Sequence, residues 1–232
     1  MADIQVDHIA QIAREEFESL CAAFPEQREP GCTLFLGRFY AQEDLRVVML
    51  GLNPGGEDSG LETNQQTGNC LLDDFPTKEP YWRNARFLFA QNGSGLRQAM
   101  ETATYSFVCP FRTRSWPGSG ALLEALKQHS RPILLQLLRD CRPRLVIIAG
   151  VAGLRLFREL LQHDAMLEQF PFTRSANTKR TYQWQAIRMS MGDRPCIVAQ
   201  IPHLSRANSK ERLTECRRWL DNEVLPSAQK LP

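Results

Sequence analysis

This sequence lacks any stretch that is long and apolar enough to span a bilayer. Its longest apolar run, Leu145 to Leu154, is about half of the ~20 residues that a spanning helix needs. The N-terminal region carries Asp3 and Asp7 and no signal-peptide apolar core. A cytoplasmic protein with no membrane association is therefore expected. Nucleotide and hydrolase signatures are missing too. No strand is followed by G-x-G-x-x-G, which argues against a dinucleotide fold, and the absence of G-x-x-x-x-G-K-[ST] excludes a P-loop. There is no G-x-S-x-G elbow for a hydrolase serine.

Cysteine is present but without a pattern. The seven residues Cys21, Cys32, Cys70, Cys109, Cys141, Cys196 and Cys216 form an odd set, and no pair is spaced C-x-x-C. A disulfide framework and a zinc ribbon are both unsupported, and buried thiols are the expectation. A dominant charge is missing as well. Lys and Arg number 28 against 26 Asp and Glu, a net charge of +2. Global charge thus does not mark a nucleic-acid binder. Local clusters are more suggestive: Arg112 with Arg114; Arg174, Lys179 and Arg180; and Arg206, Lys210, Arg212, Arg217 and Arg218. Such clusters make either a phosphate-binding face or ordinary solvated surface.

What is present describes one globular domain over residues 1–232. Apolar residues make up 43% and charged residues 23%, enough for a sizeable core. Apolar positions at helical spacing predict a helix over 6–24. Residues 81–101 read as helical with a break at Gly93-Ser94-Gly95, and 120–140 as two helical stretches, the second starting at Pro132 behind a Ser130 cap. Four apolar strands are expected near 45–50, 104–109, 145–149 and 196–201, with a possible extra arm over 182–190. A last helix begins near Ser209, with Leu213, Cys216, Leu220 and Val224 on one face. Residues 51–80 read as a long polar loop, a kind of segment that is often functional. Strands alternating with helices predict a three-layer α/β/α sandwich around a central four-stranded parallel sheet.

In such sheets ligands bind beyond the carboxyl ends of the strands. Four segments sit there: Gly51-Leu52-Asn53-Pro54-Gly55-Gly56, Pro110-Phe111-Arg112, Gly150-Val151-Ala152-Gly153 and Pro202-His203-Leu204-Ser205. Asn-Pro-Gly-Gly alone is a common turn, and a single histidine is weak evidence of anything. On two strands aimed at one edge of a sheet, Asn53 and His203 together are more specific.

These segments carry a resemblance. VVMLGLNPGG, residues 47–56, resembles motif A of the uracil-DNA glycosylase superfamily, in the form of its single-strand-selective and mismatch-specific branches. IPHLSRAN, residues 201–208, resembles motif B, and the stretches 104–112 and 145–153 resemble the family's middle and third strands. The resemblance runs from residue 45 to about 220 in the family's order. It implies a monofunctional DNA glycosylase, active without metal or cofactor, that flips a damaged or modified pyrimidine out of DNA, hydrolyses its N-glycosidic bond and leaves an abasic site. DNA is the implied partner and a monomer the expected state. Base-excision repair and antiviral defence are the settings implied.

The same resemblance assigns roles. Asn53 positions the attacking water and His203 stabilises the departing base. Gly51, Leu52, Pro54, Gly55, Gly56, Ser106 and Phe107 line the base site. Phe75 and Tyr81 are either an aromatic face for the flipped base or core aromatics. Ser205, Arg206, Asn208, Lys210 and Arg112 contact DNA, Arg206 as the plug for the gap left by the flipped nucleotide. Glu57 or Asp58 is a candidate acceptor of the water's proton, or else a solvated loop acid.

Two departures bear on the substrate. Uracil readers of the family carry an Asn on the middle strand, where this chain has Tyr105-Ser106-Phe107-Val108, and Leu204 replaces the motif B proline. A modified cytosine is therefore expected, such as the glucosylated hydroxymethylcytosine of phage DNA, with Asn64, Gln65, Gln66 and Asn69 as adaptable contacts or else a solvated polar loop. Uracil removal, a non-catalytic nucleic-acid-binding relative and an enzyme of free nucleosides are the alternatives.

Overall fold

A computed structural model of the chain describes residues 2–27, 31–35, 47–54, 61–64, 79–90, 94–113, 115–162, 166–169, 184–191 and 194–232. In chain order these form α1 (Ala2–Ala23), β1 (Cys32–Phe35), β2 (Val47–Gly51), β3 (Leu61–Asn64), α2 (Pro80–Phe89), α3 (Gly95–Glu101) and β4 (Thr104–Phe107). There follow α4 (Ala121–Cys141), β5 (Leu145–Ala149), α5 (Val151–Leu161), β6 (Met166–Gln169), β7 (Gln185–Met191) and β8 (Arg194–Ile201). A 3-10 turn (Leu204–Arg206) leads to α6 (Lys210–Trp219), which continues through a π turn (Leu220–Val224) into α7 (Leu225–Gln229).

The protein is an α/β structure with a mixed sheet. Its six strands are ordered β4-β2-β5-β8-β7-β6. β4, β2, β5 and β8 pair in parallel, whereas β7 and β6 add to the β8 edge in antiparallel fashion. The sheet is thus larger than the purely parallel four-stranded one expected. The physical reason is local: β7 and β8 are joined by a short connection, which permits only antiparallel pairing.

β5 and β8 read as continuous apolar runs because both their faces are covered. Side chains alternate between the faces. Met49, Tyr105, Ile147 and Ala199 pack with α2, α3 and α6, whereas Val48, Leu50, Ile148 and Val198 pack with α1, α4 and α5. Each large apolar side chain so buried contributes about 1.5–3 kcal/mol.

Two expectations about elements need correction. α4 is a single helix that carries Pro132 inside it, with Ser130 buried rather than capping. An internal proline costs about 3 kcal/mol. Burial of Leu126, Ile133, Leu134, Leu137 and Leu138 on one side of that helix outweighs it. Within the expected 51–80 loop, β3 pairs in parallel with β1 over Leu61 to Asn64. The helices over 6–24 and 81–101, the helix from Ser209 and the four parallel strands follow the expected pattern, whereas β1 and β6 had no counterpart in it. Two helices are N-capped by serine: Ser94 accepts from the Arg97 amide and Ser209 from the Arg212 amide. The six described cysteines are buried thiols, and Cys70 lies outside the described residues. Among the described residues no helix is long and apolar enough to cross a membrane.

Candidate active site at the strand ends

Parallel pairing brings the carboxyl ends of β4, β2, β5 and β8 to one edge of the sheet. The chain leaves β2 through Leu52, Asn53 and the buried Pro54. Backbone pairing continues past the strand, with the Val108 amide donating to the Gly51 carbonyl and the Cys109 amide to that of Leu52, both at 2.9 Å. These bonds hold the turn that carries Asn53. The Asn53 Nδ2 points to the Thr113 hydroxyl at 3.4 Å and to the Pro54 carbonyl at 3.5 Å. Both contacts are long, so they bias the amide without locking it.

Gly51 is required by its neighbours. A Cβ there would lie 2.9 Å from Cδ1 of Phe107 and 3.1 Å from the Tyr105 hydroxyl. Phe107 therefore covers the end of β2. It belongs to an aromatic cluster in which Tyr105 packs edge-on against Phe107 at 5.2 Å and against Trp82 at 5.0 Å. The Tyr81 and Tyr105 hydroxyls meet at 3.5 Å. Burial pushes the Tyr81 phenol up to about 12, so it stays protonated at neutral pH.

Between β2 and β8 lies the turn from β5 into α5. Gly150 has φ +90° and ψ 153°, a conformation open essentially to glycine alone. A Cβ on it would lie 3.0 Å from Cδ2 of His203. One turn on, a Cβ on Gly153 would sit 2.9 Å from Ile148 and 4.0 Å from Cα of Leu52. The small-residue turn thus touches the segments that carry both Asn53 and His203. These residues follow strands two positions apart in the sheet, a separation of about 10 Å at the strand-to-strand spacing of 4.7–4.9 Å.

His203 is half-buried, and its Nδ1 lies 2.8 Å from the Ser205 hydroxyl. Burial lowers its pKa below the ordinary histidine value, and the nearby Arg206 lowers it further. The ring is accordingly neutral at pH 7, with one nitrogen donating and the other accepting.

Not every expected residue joins this edge. Ser106 is next to Phe107 in β4, so its side chain faces the opposite side of the sheet, where it is 2% exposed. That alternation turns it away from the face on which Phe107 covers the end of β2. Arg112 is no surface cation: it is 7% exposed, and its Nε donates to the Thr33 hydroxyl at 2.7 Å. It ties the segment after β4 to β1, because a buried guanidinium must satisfy its donors inside the protein. Ser205, Arg206, Asn208 and Lys210 are exposed around the start of α6. The Ser205 hydroxyl is engaged with His203 rather than presented only for phosphate. Gly55, Gly56, Glu57, Asp58, Gln65, Gln66, Asn69, Phe75, Arg114, Arg174, Lys179 and Arg180 lie outside the described residues, as does the side chain of Asn64.

Two site residues escaped sequence reasoning. Thr113 supports Asn53 from 60 positions away. Asn84, on α2, donates from Nδ2 to the carbonyls of Leu204 and Ala207 at 2.7 and 2.6 Å. The available signal was an asparagine in mid-helix, where its propensity is poor and some other use must retain it. Comparison with protein-family models and with curated proteins finds no match to this chain.

Proposed function

We propose that this chain is a monofunctional DNA glycosylase that extrudes a modified pyrimidine and hydrolyses its bond to deoxyribose. The observation that carries the reading is the convergence of Asn53 and His203 on one strand-end edge, with the Gly150–Gly153 turn against both segments. The reading takes the sheet and its two helical coverings as the three-layer sandwich of the uracil-DNA glycosylase superfamily, which the stretches 47–56 and 201–208 resemble.

Hydrolysis joins a water oxygen to the sugar's anomeric carbon while the bond to the base nitrogen breaks. The electron pair of that bond leaves with the base, and one proton of the water passes to the medium. The transition state resembles an oxocarbenium ion next to an anionic base. With Nδ2 turned to Thr113, Asn53 presents Oδ1 as an acceptor that orients the water. An amide is too weakly basic to take a proton, so the role is positioning.

His203 serves the other end of the breaking bond. With the Ser205 hydroxyl donating to Nδ1, the ring proton sits on Nε2, which donates to the base oxygen as negative charge develops there. Burial together with Arg206 disfavours the cationic ring, so this donor is the neutral imidazole. The aromatic wall of Tyr81 and Phe107 supplies a face for the extruded base. Arg206 and Lys210, exposed beside the site, are assigned to DNA.

The test is a single-turnover assay on oligonucleotides that each carry one modified base, scored for abasic sites. Release of one such base by the unaltered protein and not by Asn53→Ala is the expected result. No abasic site on any of the DNAs rejects the reading. Nucleic-acid binding without base release would instead favour a non-catalytic relative.

A further inference from the structure

The segment from His203 to Ala207 is fastened from within and from outside. Within it, the Arg206 amide donates to the His203 carbonyl at 2.9 Å. Leu204 and Ala207 are buried at its two ends, whereas Ser205 and Arg206 between them are exposed. From outside, the Asn84 carboxamide donates to the Leu204 carbonyl at 2.7 Å and to the Ala207 carbonyl at 2.6 Å. Only the NH2 end of an amide can face two carbonyl oxygens, so its partners dictate its orientation.

The post on which this brace stands is firm. Trp82, Ala85, Leu88 and Phe89 of α2 are buried, and the Arg217 guanidinium of α6 lies 5.9 Å from the Phe87 ring centroid. Asn84 therefore links the two ends of an exposed two-residue apex to a helix anchored in the core. The two hydrogen bonds hold the backbone on both sides of that apex.

We propose that Asn84 is a positioning residue: it holds the 204–207 turn in one shape, so that the Ser205-Arg206 apex is a preformed wedge for extrusion of a nucleotide from duplex DNA. This rests on the glycosylase reading above and adds a requirement to it. Driving a side chain into stacked bases opposes their stacking and pairing. A slack turn would yield instead of the duplex. A single strand has no stacked partner to displace, so Asn84 matters for duplex and little for single strands.

The decisive variant is Asn84→Asp, nearly isosteric but with acceptors in place of both donors; Asn84→Ala serves if the aspartate variant does not fold. Two measurements are made on the whole protein. One is amide hydrogen exchange over residues 203–208. The other is affinity for a fluorescent duplex that contains a tetrahydrofuran abasic analogue, against affinity for the same labelled strand alone. The unaltered protein is expected to prefer the abasic duplex. Asn84→Asp should exchange faster at 204–207 and lose about tenfold on the duplex, the worth of roughly one net hydrogen bond, with little loss on the single strand. Unchanged exchange, equal losses on both DNAs, or no duplex preference in the unaltered protein overturns the proposal. Failure of the unaltered protein to release any base, with the duplex preference intact, sinks the glycosylase reading and leaves the role of Asn84 standing.

Discussion

Gly150 and His203 are packed so closely that the glycine has no room for a side chain: a Cβ there would lie 3.0 Å from the imidazole Cδ2 and 3.3 Å from its Cβ. The Gly150 amide also donates to the Ile201 carbonyl at 2.9 Å, which ties the end of β5 to the end of β8 two residues before His203. The position of the histidine thus depends on the glycine. Gly150→Ala meets two penalties, the φ of +90° and the contact with the ring. It should lower stability by about 1–3 kcal/mol and displace His203 by a few tenths of an ångström. Urea denaturation checks the first effect and the rate of base release the second. An alanine variant with unaltered stability would show that this turn is not held as described.

Much of this edge was legible in the sequence, and the reason is physical. β5 and β8 are buried on both faces, and such strands announce themselves as unbroken apolar runs. The turns that follow contain Gly, Pro and polar residues, so Asn53, Gly150 and His203 stand out as the points where the pattern breaks. What escaped was long-range. Arg112 looks like any surface cation until Thr33, 79 positions away, takes its Nε. Asn84 meets its partners 120 and 123 positions later. Pro132 reads as a helix start by local propensity, yet burial on one side of α4 carries the helix through it. Propensity and periodicity report neighbours in sequence; only the packed structure reports neighbours in space.

His203 should titrate below the usual histidine value near 6.5, because burial and the charge of Arg206 both disfavour its cationic form. Between the folded pKa and 6.5 the unfolded chain binds more protons than the folded one, so stability rises with pH across that window and is lost as pH falls through it. Nε2 carries a proton in the neutral and in the cationic ring, so base release should be flat above neutrality and change only in acid, where the ring becomes charged. Arg206→Ala should move the midpoint upward. An NMR titration of the His203 ring checks both; a midpoint above 6.5, or one that does not respond to Arg206→Ala, contradicts this electrostatic account.

Asn53 and Thr113 should differ in the size of their effects. Asn53→Ala removes the group assigned to the water, so base release should fall by roughly 10²-fold or more, a loss comparable to misplacing a reactant by an ångström. Its two hydrogen bonds are long at 3.4 and 3.5 Å, and the fold should barely notice. Thr113→Val removes only the partner of the amide. About 1 kcal/mol, or roughly fivefold in rate, is expected. Single-turnover rates and melting temperatures of both variants decide the matter. A Thr113→Val effect as large as that of Asn53→Ala would mean that the threonine itself touches the reacting groups.

A pocket that reads uracil needs donors and acceptors matched to its edge, because each buried polar group left unpaired costs about 1–3 kcal/mol. At the end of β4 this chain offers no side-chain amide. Phe107 covers Gly51 there, with the Tyr105 hydroxyl 3.1 Å from where a Cβ would be. Ser106, the polar side chain of that strand nearest the edge, faces the other side of the sheet. Uracil would meet an aromatic wall where it needs an amide, at a cost in rate of roughly tenfold or more. A bulky modified cytosine, a sugar-bearing one among them, should therefore be released faster than uracil from otherwise identical oligonucleotides. Phe107→Asn should narrow the gap, since it returns a donor and an acceptor to the end of β4, while Ser106→Ala should leave the preference where it was. The measurement is a head-to-head single-turnover comparison of the two bases in the unaltered protein and in both variants. Fast uracil release with no cleavage of any modified cytosine would reject this substrate assignment, and the roles of Asn53 and His203 would then be those of a uracil-removing enzyme.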